Sequence, residues 1–148
     1  MRNNNHYNIT IIGAGIIGLA IARQLSTQYK NILLLDKEEK FGLHVSSRNS
    51  EVIHSGFYYP YGSLKARLCV EGNKLIYDFC QEYNIKYNRC GKLVVANNEN
   101  EIKELNRIFI LAQQNNVEGI KIIDSVSAKE IEPKVICRKA LWIPSAGI

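Results

Sequence analysis

An α/β fold that opens with a strand–helix–strand unit and runs on into a mixed-sheet α+β region is predicted by three observations. A glycine-rich turn, Gly13-Ala14-Gly15, follows directly on the apolar run Asn8 to Ile12 (NITII). A helical apolar repeat then leads to a second continuous run, Asn31 to Leu35 (NILLL), which ends on Asp36. From Leu64 onward, helical stripes alternate with short apolar runs. The two parallel strands at the start are fewer than a doubly wound sheet needs, so the fold reads as incomplete. The expected division places the N-terminal part of a first domain in residues 1–62. A connecting helix and part of a second domain then fill residues 63–148.

Each element has its own signal. Asn8 to Ile12 is short and apolar, as in a buried strand. Ile17, Ala20, Ile21 and Leu25 recur at spacings of three and four and predict a helix buried along that stripe. Asn31 to Leu35 is apolar throughout, the pattern of a parallel strand covered on both faces. Strand, helix and strand together make a right-handed βαβ unit. Lys37 to Gly62 lacks periodicity and is rich in Gly, Ser, Asn and His; an ordered segment of this length is usually functional. Leu64, Leu68, Leu75, Phe79 and Tyr83 share one face of the next helix. Ile85 to Tyr87 and Leu93 to Ala96 read as strands around the Cys90-Gly91 turn. Ile102, Leu105, Phe109 and Ala112 form another helical stripe, closed by Asn115-Asn116. Ile120 to Ile123 is a short strand, Ser127 to Ile131 a helical turn stopped by Pro133, and Ala140 to Ile143 a last strand. With no helix after it, that last strand is expected to leave an uncovered edge.

Composition excludes several classes. The chain has 148 residues, 46% hydrophobic and 22% charged, ordinary values for a globular protein. Its net charge of +5 comes from scattered Lys and Arg, without the basic, aromatic-interleaved stripe of a nucleic-acid binder. Cys69, Cys80, Cys90 and Cys137 have neither C-x-x-C spacing nor His partners at metal-ligand intervals. They are expected to be reduced, mostly buried thiols, with no metal site. The uncharged stretch Ile9 to Ala22 is interrupted by glycines, too short for a membrane span and without a cleavage site. A cytoplasmic protein follows, soluble or attached peripherally to the inner membrane.

Gly13-x-Gly15-x-x-Gly18 stands between a predicted strand and a predicted helix, with Asp36 closing the next strand. In that context each residue has a physical task. Gly13 permits the tight turn, Gly15 admits a pyrophosphate to the backbone, and Gly18 lets helix and strand pack closely. The helix start offers N–H groups and a positive dipole end to phosphates. Asp36 can accept hydrogen bonds from two ribose hydroxyls. The unit is therefore Rossmann-like and dinucleotide-binding, with FAD and NAD both open on these residues.

The segment Ser46 to Tyr59 (SSRNSEVIHSGFYY), followed by Gly62-Ser63-Leu64-Lys65, resembles the second characteristic stretch of the D-amino-acid-oxidase-type FAD oxidoreductases. Within that group it is most similar to the L-2-hydroxyglutarate oxidases and dehydrogenases. Cys90 to Ala96 (CGKLVVA), Glu132-Pro133 and Pro144 to Ile148 (PSAGI) extend the resemblance along the chain. Asp36 departs from it, standing where the family more often has Glu. Members are usually more than twice as long, so the resemblance implies an N-terminal part whose missing C-terminal half, in cis or in trans, completes the flavin site.

The resemblance implies FAD as cofactor, held by Gly13, Gly15, Ile17, Gly18, Asp36 and Lys37. Ser46, Ser47, Arg48 and Asn49 then lie along its pyrophosphate and ribityl side. Hydroxyl, amide and guanidinium donors suit those oxygens. His54 is implied beside the isoalloxazine, either as the base that takes the substrate hydroxyl proton or as a structural histidine. Lys65 and Arg67 read as solvated helix cations, and Tyr58 and Tyr59 as pocket walls or packing. The implied reaction is oxidation of a small 2-hydroxy acid, L-2-hydroxyglutarate, to the 2-oxo acid. Membrane or quinone contact is expected only of a full-length form. A related amine or glycerol-phosphate oxidoreductase and a non-catalytic truncated remnant are the alternatives.

Overall fold

The computed structural model describes residues 6–148. The chain divides into two compact units, one ending at Ser50 and the other spanning Glu51–Ile148. The division falls within the unpatterned segment Lys37 to Gly62.

In the first unit, β1 (Ile9–Ile12) leads through the glycine turn into α1 (Ile16–Ser26) and on to β2 (Ile32–Leu35). β1 and β2 pair in parallel, with Ile9 opposite Ile32 and Ile12 opposite Leu35. Asn31 opens β2 in the left-handed region at φ 56°, which Asn tolerates better than most residues. The half-buried side of α1 carries Gly18, Leu19, Ala22 and Leu25, whereas Ile17, Ala20 and Ile21 are exposed. The expected stripe is thus rotated. Gly18 sits so close to the turn that an added Cβ would overlap the Gly13 carbonyl oxygen. The side that faces the strands is therefore the one carrying Gly18, and the isoleucines point away. β2 is also less covered than expected: Ile32, Leu33 and Leu34 are half-buried and Leu35 is exposed.

The second unit contains α2 (Leu64–Glu82), β3 (Lys92–Ala96), α3 (Glu99–Gln114), β4 (Lys121–Asp124), α4 (Ser125–Ile131) and β5 (Lys139–Ile143). Its sheet has the order β3-β5-β4, antiparallel throughout. The last strand, expected at an edge, is the central one: Leu141 pairs with Val94 on one side and Ile122 on the other. Both its edges are paired, which is why Ala140, Leu141 and Ile143 are fully buried. Leu141 and Ile143 join Leu105 and Ala112 of α3 in the core, with Ile102 and Phe109 packed against it. Ile85 to Tyr87 forms no strand; Ile85 N–H instead bonds the Cys80 carbonyl and continues the helix end. Among the cysteines only Cys80 is buried, Cys90 is exposed, and all four are free thiols.

Local capping explains the helix boundaries. Ser63 Oγ accepts the Ala66 N–H at 3.1 Å and starts α2. Asn98 Oδ1 accepts from Asn100 and Glu101, while Glu101 reaches back to the Asn97 N–H, a reciprocal cap that starts α3. Asp124 caps α4 through the Ser127 N–H. Asn84 and Asn116, both left-handed, follow the ends of α2 and α3.

The buried side of α2 is the reverse of the one its leucines suggest. Ala66, Asn73, Tyr77 and Cys80 are buried, and Leu64, Leu68, Leu75 and Tyr83 are exposed. Asn73 and Tyr77 carry polar atoms that satisfy buried backbone carbonyls, and this need orients the helix.

Glu51 also occupies the left-handed region, at φ 57°. A non-glycine residue there costs about 1–2 kcal/mol, against roughly 0.5–1 kcal/mol of extra chain entropy for glycine. Glu51→Gly should therefore raise stability by roughly 0.5–1 kcal/mol in urea denaturation. Gly91→Ala should lower it by about 2 kcal/mol or more, because φ is +72° and the added methyl would overlap the Trp142 ring. A destabilised Glu51→Gly variant would show that the carboxylate's own contacts outweigh the backbone cost.

Candidate functional site

The first unit carries an open cleft of about 470 Å³ at the C-terminal ends of β1 and β2. Gly13, Gly15, Asp36, Lys37 and Ser46 line it, together with Ile12, Leu35, Leu43, His44 and Val45. Five of the residues singled out by sequence are thus brought to one place. Gly13 adopts φ +104°, with open space where a Cβ would stand. A Cβ on Gly15 would lie 3.0 Å from Ser46 Oγ, so this glycine keeps the start of α1 accessible. Gly18 acts beneath the cleft through packing. Ile17 lies on the exposed side of α1 and is not among the lining residues.

Asp36 organises the cleft. Its Oδ2 accepts the Ala14 N–H at 2.5 Å and its Oδ1 accepts the Glu38 N–H at 2.9 Å. The carboxylate therefore ties the end of β2 to the middle of the glycine turn. These bonds, that from Ala14 foremost, hold its pKa below the usual carboxylate value. The Gly13 N–H also bonds the Leu35 carbonyl at 2.7 Å, and the Gly42 N–H the Ala14 carbonyl at 2.8 Å. The glycine turn is thereby fixed from two sides.

The wall opposite is the 3-10 turn His44–Ser47. Gly15, the N-cap of α1, has no side chain to cap with, and Ser46 Oγ takes that role by accepting the Ile16 N–H at 2.9 Å. Ser47 Oγ donates to the His44 carbonyl, and Asn49 Nδ2 to the carbonyls of Val45 and Ser46. Those two side chains bond the turn's own backbone. Arg48 is its C-cap, its N–H on the Val45 carbonyl. Lys37 Nζ lies 3.6 Å from Glu38 Oε1, and His44 Nε2 lies 2.8 Å from the same oxygen. The hydrogen bond to His44 is the main reason the Glu38 pKa is lowered.

Sequence reading passed over Leu43, His44 and Val45 as parts of this cleft, and Ala14 as a support of its frame. Ala14 acts through its backbone alone, which no side-chain pattern reveals. His44 and Val45 lie immediately before the recognised Ser46 motif, and the histidine was the available signal.

His54 belongs to the second unit. It is exposed, and its carbonyl accepts from Asn73 Nδ2 at 3.2 Å. The same amide nitrogen donates to the Ser145 carbonyl at 2.8 Å, to which the Tyr77 hydroxyl adds a bond of 3.0 Å. Further along, Asn115 Nδ2 donates to the carbonyls of Gly56 and Tyr59. Two buried asparagines thus pin the backbone from His54 to Tyr59. An Asn at the buried spacing of α2, between Ala66 and Tyr77, was the signal for the first of them. Tyr59 is buried, and its hydrogen bond with the Tyr58 hydroxyl, together with desolvation, pushes its pKa up to about 12. Lys65 Nζ sits 4.3 Å from the Tyr59 ring centre, and Arg67 pairs with Glu71.

A glycine turn, a helix start open to anions and an acid at the end of the second strand define a dinucleotide-binding class. Residues 8–148 match the family described as FAD dependent oxidoreductase, and the chain belongs to that family. It is similar to the mitochondrial L-2-hydroxyglutarate dehydrogenase of Arabidopsis thaliana, 46% identical over 93% of this chain and 29% of that protein. The Homo sapiens protein of the same name is 40% identical over 99% of this chain and 32% of its own length. The chain therefore spans about a third of the relatives it matches. Among solved structures it resembles an FAD-bound L-alpha-glycerophosphate oxidase from Mycoplasma pneumoniae. That likeness has a TM-score of 0.79 and 29% identity, over 94% of this chain and 38% of that one. An L-proline dehydrogenase from P. horikoshii, 24% identical with a TM-score of 0.81, shares the fold over 97% of this chain and 38% of its own. No helix among the described residues is long and apolar enough to cross a membrane.

The depressed pKa of Asp36 has a definite sign. Its bonds to Ala14 and Glu38 are made above the unfolded carboxylate value of about 3.9 and are lost as pH falls through the lower folded value. The amide proton shifts of Ala14 and Glu38 should therefore titrate together, with a midpoint below about 3.9. In Asp36→Asn that shared titration should vanish. A shared titration that persists in the variant would assign it to another group.

Proposed function

We propose that this chain binds FAD in the cleft of its first unit and is the N-terminal part of an oxidoreductase acting on L-2-hydroxyglutarate. The observation that carries the cofactor reading is the convergence of Gly13, Gly15, Asp36 and Ser46 at the start of α1. The substrate reading is supported by 40–46% identity to L-2-hydroxyglutarate dehydrogenases along nearly the whole chain.

The residues present fit the cofactor. Gly13 and Gly15 leave the backbone open to a pyrophosphate, and the first turn of α1 directs its N–H groups and dipole toward it. Asp36 lines the cleft where ribose hydroxyls can donate to a carboxylate already fixed by two backbone bonds. Gly18 and Lys37 support the same end, and Ser46 and Arg48 offer donors along the pyrophosphate and ribityl side, while Ser47 and Asn49 brace the turn that carries them. FAD, when bound, supplies a two-electron acceptor for the substrate carbon. His54 is the proposed base and takes the proton of the substrate hydroxyl at a ring nitrogen, so that a neutral 2-oxo acid carbonyl forms.

On this reading residues 1–62 belong to the FAD-binding domain and residues 63–148 begin the substrate domain. The remainder of the polypeptide, in cis or in trans, is the partner that completes the site. A cytoplasmic location, with peripheral contact to the inner membrane or to a quinone in the full-length form, belongs to the same proposal. The 29% identity to the glycerophosphate oxidase favours a glycerol-phosphate substrate as the second reading.

Two experiments test it. The purified chain or its full-length form should carry flavin absorbance and bind FAD saturably, and Asp36→Ala should weaken that binding about tenfold, the scale of a lost charged hydrogen bond. Saturable NADH binding with no affinity for flavin would overturn the cofactor reading. In the full-length form, L-2-hydroxyglutarate should bleach the flavin band and sn-glycerol 3-phosphate should not. His54→Gln should slow that bleaching about 10²–10⁴-fold. An unchanged rate in the variant would remove His54 as the base, and bleaching by glycerol 3-phosphate alone would favour the second reading.

A further inference from the structure

The second unit holds a short antiparallel contact outside its sheet. Ile53 and Gly147 bond each other's backbone, Ile53 N–H to the Gly147 carbonyl at 2.7 Å and the reverse at 3.3 Å. Two residues onward from Ile53 stands Ser55, and two back from Gly147 stands Ser145, in the turn that the Ala146 N–H closes on the Ile143 carbonyl. Both are buried, at 3% and 4% exposure. Neither hydroxyl oxygen has a hydrogen-bond partner among the described residues. Native proteins rarely leave such groups unsatisfied, because a hydroxyl stripped of water without a partner is costly.

The two serines line the same small pocket, of about 10 Å³, with Asn73, Val70 and Val117. That volume is roughly what one water molecule's probe sphere occupies. The exposed ion pair between Lys74 of α2 and Glu118, 2.7 Å long, also contributes to the lining. We propose that one ordered water occupies this pocket and bridges Ser55 Oγ to Ser145 Oγ. It donates to one hydroxyl and accepts from the other. This completes the polar support already given to the segment by Asn73, which holds the carbonyls of His54 and Ser145. A metal ion is disfavoured: two neutral hydroxyls do not repay its dehydration, and the Glu118 carboxylate is engaged by Lys74. Lys74 is neutralised in the same way, so an anion finds no free charge.

A crystal structure of the chain or its full-length form, at a resolution that shows ordered solvent, tests the site directly. One water within hydrogen-bond distance of both Oγ atoms is the expected result. A direct bond between the hydroxyls, an ion, or an empty pocket would overturn the proposal. In solution, the slow-water contribution to magnetic relaxation dispersion should drop in Ser55→Ala and in Ser145→Ala alike. The urea midpoints should be non-additive, with the double variant no less stable than the weaker single one, because either substitution strands the same water. Additive losses with undiminished relaxation dispersion would refute a shared molecule.

Discussion

The hydrogen bond from the Ala14 N–H to the Asp36 carboxylate is the contact on which the first unit depends. It joins residues at the ends of two adjacent parallel strands, one of them inside a turn that three glycines keep small. Through it, the acid that closes β2 also shapes the loop between β1 and α1. Ser46 completes the arrangement from the far wall by capping a helix whose own N-cap residue has no side chain. Turn, acid and capping hydroxyl thus form one hydrogen-bonded frame, and the cleft is the space the frame encloses. Its preorganisation reduces the ordering cost that a bound dinucleotide would otherwise meet.

The second unit solves a different problem with the same chemistry. Its irregular segment from His54 to Tyr59 has no ladder to satisfy its carbonyls, and buried backbone groups need partners. Asn73 supplies them from α2 and Asn115 from the cap that ends α3, and Tyr77 reaches the neighbouring Ser145 carbonyl. This requirement decides which side of α2 is buried. A helix oriented by apolar area alone would bury Leu64, Leu68 and Leu75, and the observed helix exposes all three. The leucines of α2 and isoleucines of α1 are thereby left exposed on each unit.

Much of this was legible in the residues themselves. The glycine spacing, the acid after the second apolar run and the polar caps before each helix are local signals, and the elements stand within a few residues of where they were read. Ile85 to Tyr87 failed because three apolar-flanked residues at a helix end satisfy a strand pattern without a partner strand. The dinucleotide cleft was legible through its side chains, Asp36 and Ser46 above all. The contributions of Ala14 and of the asparagines were hidden, the first because it acts through the backbone, the others because Asn commonly reads as a surface residue.

Sequence by itself determined the order and type of nearly all the elements and the glycine turn with its acid, because these rest on contacts between residues close along the chain or on spacing. The FAD dependent oxidoreductase family was implied by the resemblance of the Ser46 to Tyr59 segment and shown by the family match. Only the tertiary structure decided that the last strand is the central one, that α1 turns its Gly18 side and α2 its polar side inward, and that Ser55 and Ser145 line one small pocket. Those outcomes depend on pairings between residues far apart in the chain, such as Ile53 with Gly147 and Asn73 with Ser145. No local periodicity encodes a partner at that distance, because burial is settled by which surfaces can satisfy each other's polar groups once the chain has closed on itself.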